Sequence, residues 1–218
     1  KNKGIAVMLK KTTLEKSCEF FNGKAHEKCI NPNGNFIVVN SKYIASEGKL
    51  KKNTNKQLFP LLTNDIVMVM SDVPDGKALA KCLIINIDNK YTLNQRIACI
   101  RSEKFYAPFL KYQLNRNPHF LKFNNSENQT NLRKSDILNC TLFEPPLSEQ
   151  KNFVAKLDAM SEKIDVAITV AKNKQSKVDM LKNAVLKSKF NGNWKLIKIG
   201  DVLKTSAGGT PLKSKKKY

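Results

Sequence analysis

The segment SEQKNFVAKLDAMSEKIDVAITVAKNKQSKVDMLKNAVLKSKF, residues 148–190, decides how the chain is organised. Leu157, Ile164, Ala171, Val178 and Val185 recur every seven residues. With these at heptad position a, position d reads Met160, Ala167, Lys174, Leu181 and Ser188. The seam is apolar apart from Lys174, which costs stability but can fix register, and a frayed end at Ser188. Ile168 and Val170 lie beside it and widen the apolar stripe. Pro145-Pro146 hold the preceding residues out of helical space, Ser148 is expected to cap the first turn beside Glu149, and Asn191-Gly192 supply a stop. At about 1.5 Å per residue such a helix is roughly 60 Å long, more than an ordinary domain buries. It needs a partner, and Leu157, Met160, Ile164, Ile168, Val178, Leu181 and Val185 are its candidate interface residues. The plainer alternatives are a solvated surface helix or a generic dimerisation coil.

Ahead of the helix, residues 12–143 read as a mixed, strand-rich globular domain. Phe36–Val39, Ile66–Met70, Cys82–Ile87, Ile97–Ile100 and Cys140–Phe143 are β-branched or apolar runs bounded by turn residues. Asn22-Gly23, Asn33-Gly34 and Asp75-Gly76 mark turns between them. One helix is expected over Ala107–Leu114, with Pro108 in its first turn; Phe109 and Tyr112 read there as packing residues rather than a platform for bases. The fold class is α+β. The expected organisation is a globular domain over 1–146, a long coiled-coil helix over 147–191, and a tail over 192–218.

A formal net charge of +21 over 218 residues exceeds what solubility requires. Such a potential suits nucleic acid or an anionic membrane surface. The longest apolar runs, such as Cys82-Leu83-Ile84-Ile85, are strand-length, which disfavours a membrane span. No secretory leader pattern is visible, and five scattered cysteines without paired short spacing fit reduced thiols in the cytoplasm. The polar loops carry the candidate DNA-binding residues. Lys24, Lys42, Lys49, Lys51, Lys52 and Lys56 are candidates for phosphate contact, because lysine grips backbone charge without reading sequence. Asn94, Gln95, Arg96, Gln129, Thr130, Asn131 and Lys134 are candidates for base contact, since Asn and Gln can pair bidentately with adenine and Arg or Lys with guanine. Arg96 has a rival role as a structural ion-pair partner. Taken one at a time, the same loop residues read equally as solvated polar surface.

Catalytic readings fare poorly. Glu144-Pro145-Pro146-Leu147 superficially resembles the Asn- or Asp-Pro-Pro-aromatic motif of adenine methyltransferases, but its outer residues differ and no Gly-x-Gly loop precedes it. Gly208-Gly209-Thr210-Pro211 lacks the context of a phosphate loop. Asp72, Asp75 and Lys77 have nuclease-like spacing of a kind common by chance, and His26 and His119 are the only histidines available to a metal centre. The sequence therefore predicts a chain with no cofactor and no chemistry of its own.

Thr13–Gly23 echoes, 185 residues on, in Lys198–Gly208, in pattern more than in identity. Together with Leu14–Lys24, Leu61–Ser71 containing Asn64-Asp65-Ile66-Val67, Leu93-Asn94-Gln95-Arg96-Ile97, Asn128–Leu132, Pro145-Pro146-Leu147-Ser148-Glu149-Gln150, and Trp194-Lys195-Leu196 before Ile199-Gly200-Asp201-Val202, this order of segments resembles the specificity subunit of type I restriction-modification enzymes. The resemblance covers nearly the whole chain, and Pro-Pro-Leu-x-Glu-Gln ahead of a heptad helix is its most specific element. It implies a target-recognition domain, a long spacer helix and the start of a second recognition domain, in a half-length subunit. It further implies double-stranded DNA, methyltransferase (modification) subunits bringing S-adenosylmethionine, and a motor-nuclease (restriction) subunit bringing ATP as partners. A half-length unit is expected to form a homodimer through its helix. The alternatives are a coiled-coil regulatory or decoy protein derived from such a subunit, and a nonspecific nucleic-acid-binding module.

Overall fold

Alternating side chains of one four-stranded sheet enter two different cores, and the rest of the N-terminal region is arranged around that fact. The computed structural model describes residues 10–74, 76–124, 126–192, 195–206 and 208. Asp75, Trp194, Ala207 and Gly209 to Pro211, which bear on the motifs above, lie outside the described residues. In chain order, β1 (Lys11–Thr13) runs into the one-turn helix α1 (Leu14–Ser17) and β2 (Glu19–Asn22). A 3-10 turn, Glu27–Cys29, precedes β3 (Phe36–Val39), α2 (Ser41–Ala45) and β4 (Asn53–Thr54). Next come β5 (Ile66–Val69), β6 (Ser71–Asp72), β7 (Cys82–Ile84), β8 (Tyr91–Leu93) and β9 (Ile97–Arg101). Three short helices, α3 (Ala107–Leu114), α4 (Pro118–Leu121) and α5 (Lys134–Leu138), enclose β10 (Thr130–Asn131) and lead to β11 (Thr141–Phe143). Finally α6 covers Leu147–Phe190 and α7 covers Ile199–Val202. The architecture is α+β, as the sequence predicts.

The central sheet has the order β2-β9-β5-β7, antiparallel throughout. Ile66, Met68, Ala98 and Ile100 enter a core shared with Leu14, Phe109, Leu110, Leu114, Phe120 and Ile137. Val67, Val69, Ile97 and Cys99 enter the opposite core with Ile37, Val39, Tyr43, Ile44, Tyr91 and Leu93. Burial on both faces explains why Ile66–Val69 and Ile97–Ile100 are continuously apolar rather than alternating. The second core is covered by a small sheet, β4-β3-β8, in which β3 and β8 run parallel. The strand expected over Cys82–Ile87 is laddered only to Ile84; beyond it Ile85 exchanges hydrogen bonds with Asn64 and Asp65 where Asn64 turns at φ 72. Pairing of β1 with β11 brings the two ends of the globular part together, with an ion pair from Lys10 to Glu144 at 3.2 Å.

The long helix starts one residue before the expected cap. The Gln150 N–H donates to the Pro146 carbonyl at 3.1 Å, so Pro146 takes the flanking position and Ser148 lies within the first turn. Gln150 itself is almost fully buried. Its Nε2 donates to the Pro145 carbonyl at 2.9 Å and its Oε1 accepts from the Tyr106 N–H at 2.8 Å. These bonds tie the helix base to the residue that precedes α3. Val154 is buried, Phe153 meets the Phe109 ring edge-on at 5.7 Å, and Asp158 accepts from the Tyr112 hydroxyl. Leu157, expected on the exposed seam, is half-buried, since it shares the helix face of Phe153 and Val154.

The boundary between two compact units falls inside α6, after Met160. In the second unit the seam is open: Ile164, Ile168, Val178, Leu181 and Val185 are all about half exposed or more, as is Met160 just before it. Helix α6 ends at Phe190, before Asn191-Gly192. No helix among the described residues is long and apolar enough to cross a membrane. All five cysteines are free; Cys82, Cys99 and Cys140 are buried, whereas Cys18 and Cys29 are only partly so. Burial pushes the Cys140 thiol up to about 11, and raises those of Cys18, Cys82 and Cys99 as well, which keeps them protonated.

Candidate nucleic-acid interface

The turn Asn94-Gln95-Arg96 is where the chain leaves the small sheet at β8 and enters the central sheet at β9. Asn94 builds it: its Oδ1 accepts from the Arg96 N–H at 3.2 Å, its N–H donates to the Val39 carbonyl, and its carbonyl accepts from Ile97. Gly23 lies against this turn so closely that a Cβ would sit 2.2 Å from the Asn94 carbonyl oxygen, so the Asn22-Gly23 signal marks a close approach of two backbones. Lys24 is thereby fixed beside Asn94 through a parallel bridge, with its N–H on the Leu93 carbonyl at 2.9 Å.

Residues far apart in sequence converge there. A cleft of about 420 Å³ is lined by Lys42, Lys52, Asn94 and Arg96, together with His26, Glu27, Asn40 and Ser41. Lys42 rides on α2, whose N-terminus is capped by the Asn40 side chain accepting from Tyr43 at 2.9 Å. Lys52 is held by its carbonyl, which accepts from Val38 at 2.8 Å. His26 is buried, with Nδ1 2.7 Å from the Lys24 carbonyl oxygen and Nε2 2.9 Å from the Thr92 hydroxyl, so both ring nitrogens are occupied in supporting the wall. Lys24, Lys49, Lys51 and Lys56 are exposed but do not line this cleft. Arg96 is exposed, and among the described residues it forms no ion pair; that structural role falls to Arg101 instead.

A second group sits next door. Met70 links them: its N–H donates to the Arg96 carbonyl at 3.1 Å, and its carbonyl accepts from the Leu132 N–H at 2.8 Å. Strand β10 pairs with β6 immediately after Met70. A shallow depression of about 300 Å³ is lined by Gln129, Thr130, Asn131 and Arg133, with Phe123 and Asp136. Gln129 and Asn131 are exposed, and the Gln129 amide donates to the Asn131 side-chain carbonyl at 3.3 Å. Thr130 turns inward: it is buried and its hydroxyl donates to Asn124 Oδ1 at 3.3 Å, which makes it a support for its two neighbours. Lys134 opens α5 with its Nζ 5.7 Å from the Phe20 ring centre.

Asp72, set in the nuclease-like spacing, accepts backbone N–H bonds from Val73, Ala78 and Leu79 at 2.7–2.9 Å. It shapes the loop after β6. No group of three or more His, Cys, Asp or Glu positioned for a metal occurs among the described residues. Sequence reading missed Glu27, Asn40 and Ser41 in the cleft; nothing in their local pattern distinguishes them, and it is the pairing of β3 with β8 that brings Asn40 and Ser41 to Asn94, and the bridge from Lys24 to Asn94 that brings Glu27.

A family model described as the type I restriction modification DNA specificity domain matches residues 9–175. No curated protein matches the chain by sequence. Among solved structures, a chain from work on complex assembly and conformational transition of the type I R-M system is 18% identical with a TM-score of 0.70, covering 89% of this chain and 49% of its own. The HsdS subunit from Thermoanaerobacter tengcongensis is 19% identical with a TM-score of 0.62, covering 88% of this chain and 47% of that one. The S subunit of the type I restriction-modification system from M. genitalium is 16% identical with a TM-score of 0.53 over 74% and 41%. These likenesses carry the fold, and the chain spans about half the length of the first two solved chains it matches or less. With the family model covering most of its residues, the chain belongs to the type I restriction modification DNA specificity domain family, a family of sequence-reading rather than catalytic domains.

Proposed function

We propose that this chain is a non-catalytic DNA-recognition unit of a type I restriction-modification complex, whose globular part reads one half of a split double-stranded target. The observation that carries the reading is the convergence of Lys42, Lys52 and Arg96 in one cleft, tied through Met70 to the exposed amides Gln129 and Asn131. Cations seat the phosphate backbone and amides beside them meet base edges. Helix α6 is then both spacer and docking surface for methyltransferase subunits. S-adenosylmethionine and ATP belong, in this reading, to those subunits and to a motor-nuclease subunit, in the cytoplasm where the DNA lies. The open seam of Ile164, Val178, Leu181 and Val185 supports pairing of two chains as a coiled coil.

The domain division follows: recognition domain over 1–146, helix over 147–191, and the beginning of a second recognition domain over 192–218. Its support is a repeated piece of geometry. One-turn helices occupy Leu14–Ser17 and Ile199–Val202, 185 positions apart; both are flanked by extended residues, and each is closed by the next residue's N–H on the first carbonyl, Cys18 to Leu14 and Leu203 to Ile199, at 2.9 Å.

A salt-series binding assay against random duplex, single-stranded DNA and RNA tests the function. Duplex DNA is expected to bind best. Replacing Lys42 and Lys52 by Ala should weaken all duplexes and lower the slope of log affinity against log salt by roughly 0.9 for each phosphate left unneutralised. Gln129→Ala with Asn131→Ala should instead reduce discrimination by about 1–3 kcal/mol at the bases they touch and leave the slope alone. Tighter binding to RNA, or an unchanged slope in the lysine variant, would move the interface elsewhere.

A further inference from the structure

The cleft that gathers Lys42, Lys52 and Arg96 also holds one acid. Glu27 opens the 3-10 turn Glu27–Cys29, is exposed, and among the described residues forms no ion pair with the cations around it. Its Oε1 instead accepts from Gln95 Nε2 at 2.9 Å. That bond commits the Gln95 amide, because turning it over would set its oxygen against a carboxylate. The Gln95 Oε1 is itself buried and unpartnered. A glutamine held in this way does not offer a donor and an acceptor side by side to an adenine edge, so the base-contact role expected of Gln95 from sequence passes to its partner. The Glu27 carboxylate keeps lone pairs free on an exposed group. Hydrogen bonding from Gln95 holds the Glu27 carboxyl below the usual carboxylate range, so it is ionised and accepts only.

An acceptor-only anion in a DNA-facing cleft is selective by sign. Phosphates repel it, as do the N7 and O6 acceptors of guanine; the adenine amino group stands between two acceptors, its own N7 and the paired thymine O4, whereas the cytosine N4 amino group has the paired guanine O6 on one side and only a C5–H on the other. We infer that Glu27 is a base-reading residue that accepts a hydrogen bond from the N4 amino group of a cytosine in the major groove, with Gln95 as its positioning residue. This rests on the DNA-recognition reading above.

The test is selection from a duplex library randomised over the target length, run with the wild-type chain, Glu27→Gln and Gln95→Ala, together with NMR titration of the Glu27 carboxyl. Glu27→Gln is expected to lose preference for cytosine at one position by roughly 10- to 100-fold, to gain adenine there because an amide pairs with it, and to bind unselected duplex more tightly because a repelling charge is gone. Gln95→Ala should weaken the same single preference and move the Glu27 titration to higher pH, a change that a merely structural glutamine would not produce. Three outcomes overturn the inference: a wild-type motif recovered unchanged with Glu27→Gln, a preference shifted from adenine rather than from cytosine, or a Glu27 titration indifferent to Gln95. If the wild-type chain selects no motif at all, the DNA-recognition reading itself falls and this inference with it.

Discussion

Asp65→Ala is expected to cost about 3–5 kcal/mol of stability, the characteristic loss when one member of a buried ion pair is removed. The Asp65 side chain is 1% exposed. Its oxygens accept from Arg101 Nε at 2.7 Å and Arg101 Nη2 at 2.8 Å, and Oδ2 also accepts from the Leu62 N–H at 2.8 Å. Truncation strands a guanidinium that is only 32% exposed and leaves that N–H without its acceptor. The Phe21 ring, 5.2 Å from the Arg101 guanidinium carbon, offsets little of this. Against a typical total of about 5–15 kcal/mol, the variant should unfold at a much lower urea concentration with an unchanged m-value. A loss below about 1 kcal/mol would mean that water already solvates Arg101 well enough to make the pair dispensable.

A double change of Ile164→Glu and Val178→Glu should convert a dimer into monomers. In an antiparallel pair centred on Ala171, each Ile164 faces the other chain's Val178, and the small residue at the two-fold point lets the helices approach. Both side chains are more than half exposed in the single chain, and burying such a side chain fully contributes about 1.5–3 kcal/mol. Each counts twice in a symmetric assembly. Glutamate at these places would instead desolvate four like charges across the seam. The expected readout is a shift in sedimentation from dimer to monomer, with binding reduced to a weak half-site. A wild-type chain that stays monomeric in the tens of micromolar would point to pairing with a different subunit.

How much was legible depended on whether the signal was local. Pro145-Pro146 and the Ser148 cap set the start of α6 to within one residue, and the heptad spacing marked its course, because an apolar residue every seven positions recurs many times along a long helix. Ala107–Leu114 and Phe36–Val39 form the expected elements for the same reason: each has its own apolar run and boundary residues. Strands of two or three residues carry no period, so β4, β6, β8 and β10 were invisible, and with them the small sheet that builds the cleft. Partners distant in sequence left no trace either. The pairing of β1 with β11 and the Gln150 bond to Tyr106 depend on which surfaces meet, not on which residues are adjacent. Pro145-Pro146 signalled a helix start, but nothing near Gln150 announced that its amide would pin that helix to the domain. At the interface, residue type pointed to Lys42, Lys52 and Arg96, which the cleft gathers, while burial of Thr130 and the Glu27 bond to Gln95 required the fold.

Selection of bound sequences from a randomised duplex library by the wild-type chain tests the central claim most directly. A recognition unit paired through α6 should recover two inverted copies of one half-site, separated by a spacer of constant length. A pool that shows no enrichment, or that yields an asymmetric split target, would contradict it.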